Sequence, residues 1–433
     1  MKYFGTDGIR NKLSFFDKPF LIRVARGISL LPDCKTVVIG RDTRIGGIFM
    51  ESILCDELNK LGINVVKLGI IPSPALALNL RILGFDYGIM LSASHNPPEF
   101  NGIKLFERCG KKLSENNEKI IEEYLENPID IDCDYLRGET EFIDGKSLYL
   151  QFTEKHFHNS LSGMKILLDC ACGATSNFAK DVFISAGAEV TCCFDSYCGN
   201  KINVRCGAAN PSTLLKLCSD YYDIGFAFDG DGDRVYTSSL GKLYNGDKLM
   251  YIIAKHMAYH HKLNKNTVVG TVMTNSGIEN AYLYNNINFV RTDVGDRNVY
   301  FEMQKNGYNL GGEESGHIIF SDYLKTGDGV LTALIAGNFH KTLPLYLSDD
   351  VTLIPSFSDC ISASTAEMEA FASDARIKEI LAVPKNVRII ARPSGTEPKI
   401  RLTCESTDKN HALNTLSFLK TEITRILNDY KQN

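Results

Sequence analysis

The chain has 433 residues, 44% of them hydrophobic and 23% charged, the composition of a globular protein too long for one core, so two to four domains are expected. A net charge of −5 removes the electrostatic case for nucleic-acid binding, and no stretch approaches 18 consecutive apolar residues, which excludes a membrane-spanning helix. The opening residues Met1 to Asp7 lack an apolar signal core, and thirteen cysteines without regular spacing read as free thiols in a reducing compartment; a cytoplasmic protein is expected.

Apolar runs read as strands and 3.6-period stretches as helices repeat one plan three times. First come a strand over 36–39, a helix over 49–61, a strand over 65–68, a helix over 74–83 and a strand over 87–91, ending in the loop Ser92-Ala93-Ser94-His95-Asn96-Pro97. The second pass runs through strand 165–168, helix 177–186, strand 190–194, helix 213–221 and strand 224–228, and ends in Asp229-Gly230-Asp231-Gly232-Asp233-Arg234. The third runs through strand 267–273, helix 278–284, strand 289–291, helix 297–305 and strand 307–310, ending in Gly311-Gly312-Glu313-Glu314-Ser315-Gly316-His317. Such alternation predicts parallel sheets with ligand sites beyond the carboxyl ends of the strands, so three polar loops at equivalent ends imply one shared cleft. The tail differs: strand 387–390, the loop Arg392 to Pro398, strand 400–403 and a helix over 409–429 read as a smaller α+β domain. Boundaries fall near 150, 245 and 350.

The aspartate run carries the most chemistry. At an effective dielectric near 20, each close pair of carboxylates costs roughly 4 kcal/mol unless a cation lies between them. An all-oxygen donor set suits a hard ion, Mg2+ before Ca2+. The spacing also matches the start of an EF-hand, but position 6 is Arg234 and position 12 is Leu240, where that loop needs Gly and Glu. A solvated acidic turn is disfavoured by the apolar run leading into the loop. Arg234 offers a planar fork for a phosphate oxygen.

A metal site gives Ser94 a role as a phosphoryl carrier whose oxygen completes the ion's coordination; the alternative is an ordinary turn serine. His95 either transfers a proton or only steadies the loop, and Lys104 is of interest for its closeness to Ser94. Arg392, Ser394, Gly395 and Thr396 combine a guanidinium, hydroxyls and a glycine amide into a cradle for a non-reacting phosphate, or form a plain turn between strands. Glu313 and Ser315 offer an acceptor and a donor suited to sugar hydroxyls, with an exposed acidic turn as the alternative. Asp296 either helps close the cleft or caps the helix behind it.

Phe4 to Arg10, Ser92 to Pro97, Asp229 to Arg234, Gly311 to His317 and Arg392 to Pro398 stand in the order of five motifs of one family. The chain resembles the α-D-phosphohexomutases end to end, most closely the branch acting on glucosamine phosphates. The resemblance implies an α/β fold: three similar α/β domains with mixed, mostly parallel sheets plus a C-terminal α+β domain around a central active-site cleft. The domains would be 1–150 with the phosphoserine, 151–244 with the metal, 245–350 with the sugar and 351–433 with the distal phosphate. It implies phosphoserine at Ser94, Mg2+ held by Asp229, Asp231, Asp233 and that phosphoserine, and sugar contacts from Glu313 and Ser315. Arg10 and Lys104 fall beside the transferring phosphoryl, Lys104 or a neighbour removing the proton while Arg10 and His95 offset charge.

The implied reaction moves phosphate reversibly between O6 and O1 of glucosamine through a hexosamine 1,6-bisphosphate that serves as intermediate and activator. Small sugar phosphates are the implied partners, and homodimers are common in the family, which makes a second copy a candidate partner. Two departures bear on specificity: Asn11 follows the first motif in place of glycine, and Glu314 stands where the glucosamine branch carries Gln. The rivals are a relative acting on glucose or mannose phosphates, and a catalytically silent sugar-phosphate-binding protein.

Overall fold

The runs Tyr87–Leu91, Ile224–Phe228 and Thr267–Thr271 are buried along their whole length, as strands covered on both faces must be. The structure, a computed structural model, describes residues 2–5, 7–131, 136–394 and 398–430. It divides into two compact units, Met1–Thr271 with Ile287–Asp349, and Val272–Asn286 with Asp350–Asn433.

The first unit holds three sheets. Strands β1 (Ile9–Lys12), β2 (Thr36–Arg41), β3 (Asn64–Ile70), β4 (Tyr87–Leu91), β5 (Phe100–Glu107) and β6 (Thr140–Phe142) lie in the order β1-β5-β4-β2-β3-β6. Strands β7 (Lys165–Asp169), β8 (Glu189–Cys193), β9 (Ile224–Phe228), β10 (Val235–Ser239) and β11 (Lys242–Tyr244) lie in the order β11-β10-β9-β7-β8. Strands β12 (Thr267–Thr271), β13 (Asn288–Thr292), β14 (Leu310–Gly312) and β15 (Ile318–Phe320) follow as β13-β12-β14-β15. One arrangement thus recurs: β2, β7 and β12 each pair in parallel with the two strands beside them. An antiparallel return strand, β5, β10 or β15, then pairs with the third strand of the set. The three polar loops are the hairpin connections between that third strand and its return strand, so the repeat places them at equivalent ends.

The return strands were not legible as strands. β5 carries Asn101 and Gly102, residue types that strands disfavour, yet it pairs with both β1 and β4. Gly102 is required there because a Cβ would lie 2.3 Å from Ser92 O, a contact no side chain tolerates. The helix Lys18–Ser29, outside the threefold reading, starts where Asp17 accepts from Phe20 N at 2.8 Å and packs Leu21, Val24 and Ile28 into the first core. Several predicted elements are shorter: the helix expected over 177–186 spans Ala179–Ser185, that over 213–221 spans Ser212–Leu217, the strand over 267–273 ends at Thr271, and the strand expected from 307 begins at Leu310. Gly307 instead ends the helix Asp296–Asn306 with φ +70°, the left-handed cap that glycine adopts freely.

In the second unit β16 (Ser356–Ser362), β17 (Arg388–Pro393) and β18 (Lys399–Glu405) form an antiparallel sheet in the order β16-β18-β17. The helix Lys409–Asn428 lays Leu416, Leu419, Ile423 and Ile426 into its core. This is the α+β tail.

Candidate functional site

Ser94 lies in the loop from β4 to β5, fully buried, with φ +50°, a left-handed conformation uncommon outside glycine. Its Oγ donates to Asp229 Oδ2 at 2.5 Å and lies 3.5 Å from His95 Nδ1. Its backbone N–H donates to Ser92 Oγ at 2.8 Å. Two loops 135 residues apart in sequence therefore meet at one hydroxyl.

Asp229, Asp231 and Asp233 are buried, and each offers a carboxylate oxygen within 4.8 Å of the others. Among the described residues no other His, Cys, Asp or Glu group meets that spacing, and the described cysteines are free thiols. The loop's glycines differ in purpose. Gly232 has φ +71°, while Gly230 has no room for a side chain because a Cβ would lie 2.5 Å from Ser94 O. Lys104, from β5 and 2% exposed, puts Nζ 2.6 Å from Asp231 Oδ2, 2.9 Å from Asp233 Oδ2 and 3.0 Å from Asp7 Oδ2. Arg10 pairs with Asp7 and donates to Asn96 Oδ1 at 3.2 Å.

The carboxylates are not charge-balanced by Lys104 alone. Burial, then Asp233 and Asp231, push Asp229 up to about 8. Burial acts the same way on Asp233, but Lys104, His317 and Arg234 outweigh it and hold that carboxylate well below its ordinary range. The Oδ1 atoms of Asp231 and Asp233 are buried without a hydrogen-bond partner. Hard oxygen donors with unused lone pairs and surplus negative charge fit a hard divalent cation.

The cationic groups divide in two. Burial lowers Lys104, but Asp231 and Asp233 more than reverse it, so the ammonium stays charged and is a donor rather than a base. Arg234 first, then burial and Arg10, push His95 down to about 2, leaving a neutral imidazole that cannot offset charge as a cation. That leaves Arg10 and Arg234 as the cations facing the Ser94 side, Arg234 held charged by Asp233, Asp229 and Glu313 against burial.

In the loop after β14, Glu313 Oε1 accepts from Gly295 N at 3.0 Å, and Ser315 Oγ is buried without a partner. Glu314 is exposed and accepts from Asn245 Nδ2 at 3.2 Å, tied to the start of the helix Gly246–Tyr259. Asp296 is not a cap: Gly295 takes that place, and Asp296 pairs with Lys112 at 2.5 Å. His317, in the quoted loop but assigned no role from sequence, stands between Asp233 at 3.6 Å and Asp296 at 3.2 Å. Burial opposes charge on the ring, but Asp296 and Asp233 outweigh it and raise its pKa to about 9, so His317 bridges the two carboxylates as a cation. Reading by motif also missed Lys112 and the pair Asp42 and Arg44; a charged Asp-x-Arg at the end of a buried strand was the available signal.

In the second unit Arg392, next to the end of β17, lies opposite Arg401 on β18, and Ser394 N donates to Lys399 O at 2.8 Å. A cavity of about 430 Å³ there is lined by Arg392, Lys399, Arg401, Ser358 and Thr403 together with Asp359, Met273, Cys360 and Ile390, three cations to one carboxylate, a balance that favours an anion. Gly395 and Thr396 lie outside the described residues.

Residues 1–130 match the family described as Phosphoglucomutase/phosphomannomutase, alpha/beta/alpha domain I. Residues 245–351 match its alpha/beta/alpha domain III, and 362–418 its C-terminal domain. The chain is 40% identical over 422 residues to a phosphoglucosamine mutase of Geobacillus thermodenitrificans, covering 94% of each. It is 39% identical over 433 residues to one of Thermotoga neapolitana, covering 99% of each. Among solved structures, a phosphoglucomutase/phosphomannomutase family protein of Burkholderia thailandensis superposes with a TM-score of 0.81 at 21% identity, over 98% of this chain and 97% of that one. An Aspergillus fumigatus N-acetylphosphoglucosamine mutase, solved with GlcNAc-6P and magnesium, gives 0.69 at 17% identity, over 98% and 96%.

Proposed function

The chain belongs to the α-D-phosphohexomutase family, and we propose that it interconverts glucosamine 6-phosphate and glucosamine 1-phosphate, supplying cell-wall precursors in the cytoplasm. The observation that carries this reading is Ser94 Oγ at 2.5 Å from Asp229, inside a buried ring of three carboxylates and one ammonium. The sugar is supported by the two phosphoglucosamine mutases, each about two-fifths identical over almost the whole chain.

In the proposed cycle a sugar hydroxyl attacks phosphorus on phospho-Ser94, the bond from phosphorus to Ser94 Oγ breaks, and a hexosamine 1,6-bisphosphate forms. The bisphosphate turns over, its other phosphate returns to Ser94 Oγ, and the product leaves; bisphosphate that escapes can reload an empty Ser94. Mg2+ held by Asp229, Asp231, Asp233 and the Ser94 oxygen would draw charge from the phosphoryl and leaving oxygens. Arg10, Arg234 and Lys104 bring fixed positive charge to the phosphoryl oxygens. The proton given up by the attacking hydroxyl ends on Ser94 Oγ as that oxygen leaves phosphorus; Lys104, kept charged by Asp231 and Asp233, can only donate in this exchange, and His95, a neutral ring 3.5 Å from Ser94 Oγ, steadies the loop. Glu313 and Ser315 orient sugar hydroxyls, and Arg392, Ser394, Gly395 and Thr396 grip the phosphate that is not reacting. The working domains are 1–150, 151–244, 245–350 and 351–433, and a homodimer is the proposed assembly. Glu314, bonded to Asn245, is not assigned to substrate selection.

Parallel assays with glucosamine, glucose and mannose 6-phosphates test the reading. Glucosamine 6-phosphate is expected to lead by more than about tenfold in kcat/KM, and an equal lead for a neutral hexose overturns the amino-sugar claim. Ser94→Ala is expected to lose turnover; full activity in that variant overturns the phosphoserine cycle.

A further inference from the structure

Ser94 is held in its strained conformation from both sides of its own backbone, and one buried pair reaches both sides. Arg44, 2% exposed just beyond β2, spends its guanidinium on the loop: Nη1 donates to Pro97 O at 2.6 Å and Phe100 O at 2.8 Å, and Nη2 to Ser94 O at 2.9 Å and Asn96 O at 2.7 Å. Its Nε donates to Asp42 Oδ2 at 2.9 Å, so all five N–H groups are engaged. The same Asp42 oxygen accepts from Ser92 Oγ at 2.7 Å, and that hydroxyl accepts from Ser94 N. The N–H and the C=O of Ser94 are therefore both tied to one ion pair, directly on one side and through Ser92 on the other. Asn203 adds bonds to Ser94 O at 2.8 Å and Asn96 O at 3.1 Å.

Four carbonyls converge on one planar fork, a task that a lysine with three tetrahedral donors cannot perform. With the carbonyls turned inward, the Ser94 side chain is left to face Asp229. A residue at φ +50° persists only when its surroundings over-determine it, and here they do.

We infer that Arg44, anchored by Asp42, is a positioning residue that sets the Ser94 backbone so that Oγ is aligned for phosphoryl transfer. The inference rests on Ser94 being the phosphoryl carrier. Phosphoryl transfer needs the attacking oxygen, phosphorus and leaving oxygen in line, and a misplacement of about 1 Å costs on the order of 100-fold. A loosened loop also exposes phospho-Ser94 to water as the attacking group.

The test compares Arg44→Lys with wild-type protein and with Ser94→Ala, in kcat, KM for glucosamine 6-phosphate, and the rate at which phosphate is lost from the phosphorylated enzyme. Arg44→Lys is expected to lower kcat about 100-fold with KM within about twofold, and to shorten the phosphoserine lifetime. A residue that only supported the fold would not move that lifetime in protein shown folded by circular dichroism. In Arg44→Ala, added guanidinium ion is expected to recover part of kcat, and an equal concentration of ammonium is not. Should the Arg44 variants not fold, Ser92→Ala severs the link to the Ser94 N–H and is expected to show the same split at about tenfold. Wild-type kcat and phosphoserine lifetime in Arg44→Lys, or in Ser92→Ala where it is the variant tested, overturn the inference. An active Ser94→Ala instead overturns the carrier reading beneath it.

Discussion

Replacing Gly230 with alanine tests the meeting of the two loops more directly than removing a charge. A Cβ at this position would lie 2.5 Å from Ser94 O, 2.9 Å from Ile202 Cδ1 and 3.1 Å from Asn203 Nδ2. Ile202 can rotate away, but Ser94 O is backbone, held by Arg44 and Asn203. To clear the 3.0 Å inside which a Cβ essentially never sits, and to reach the 3.4 Å where ordinary contact begins, the loops must separate by about 0.5–0.9 Å. That displacement falls on the 2.5 Å contact between Ser94 Oγ and Asp229, and misalignment of this size costs on the order of 100-fold in kcat. Overpacking adds about 1–3 kcal/mol of lost stability. Steady-state kinetics with glucosamine 6-phosphate and urea unfolding read the two effects separately. A Gly230→Ala enzyme with wild-type kcat would mean that the loops do not need this approach, and the reasoning fails.

Removing divalent cations with a chelator is expected to abolish turnover, and Mg2+ to restore it; a chelator-indifferent enzyme contradicts the assignment of the aspartates. Lys104→Met leaves Asp231 and Asp233 without the ammonium at 2.6 and 2.9 Å, and breaking a buried pair from one side costs about 3–5 kcal/mol, measured by urea unfolding of the metal-free protein. A loss below about 1 kcal/mol would show that these charges are already compensated. Asp328, buried and bonded to Tyr149 Oη at 2.8 Å, is pushed by burial up to about 7. Because its folded pKa is raised, the stabilising protonated form is complete below the ordinary carboxylate range and is lost as pH rises through about 7. Asp328→Asn, which keeps a neutral group there, should therefore gain stability over wild type between pH 5 and 8; a pH-independent difference contradicts this.

The amino-acid sequence by itself determined the alternation of strands and helices, the placement of three polar loops at equivalent ends, the α+β tail and the hard-ion chemistry of the aspartate run. Each is local: periodicity is written in neighbours three or four residues apart, and ligand softness in residue type. Lys104 shows where local reading stopped. Its strand was hidden by Asn101 and Gly102, and the protonation of its side chain follows from Asp231 and Asp233, more than 120 residues away. His95 read as a charge-offsetting group and is neutral for the same reason, the cations around it coming from other loops. Gly230 is set by tertiary approach, its lack of a Cβ being clearance for Ser94 O. Arg44 carried no motif, because a guanidinium that binds four carbonyls is recognised only once the chain has brought them together. Motif and period specify what a segment can do, while burial and the charges of distant segments decide which of those things it does.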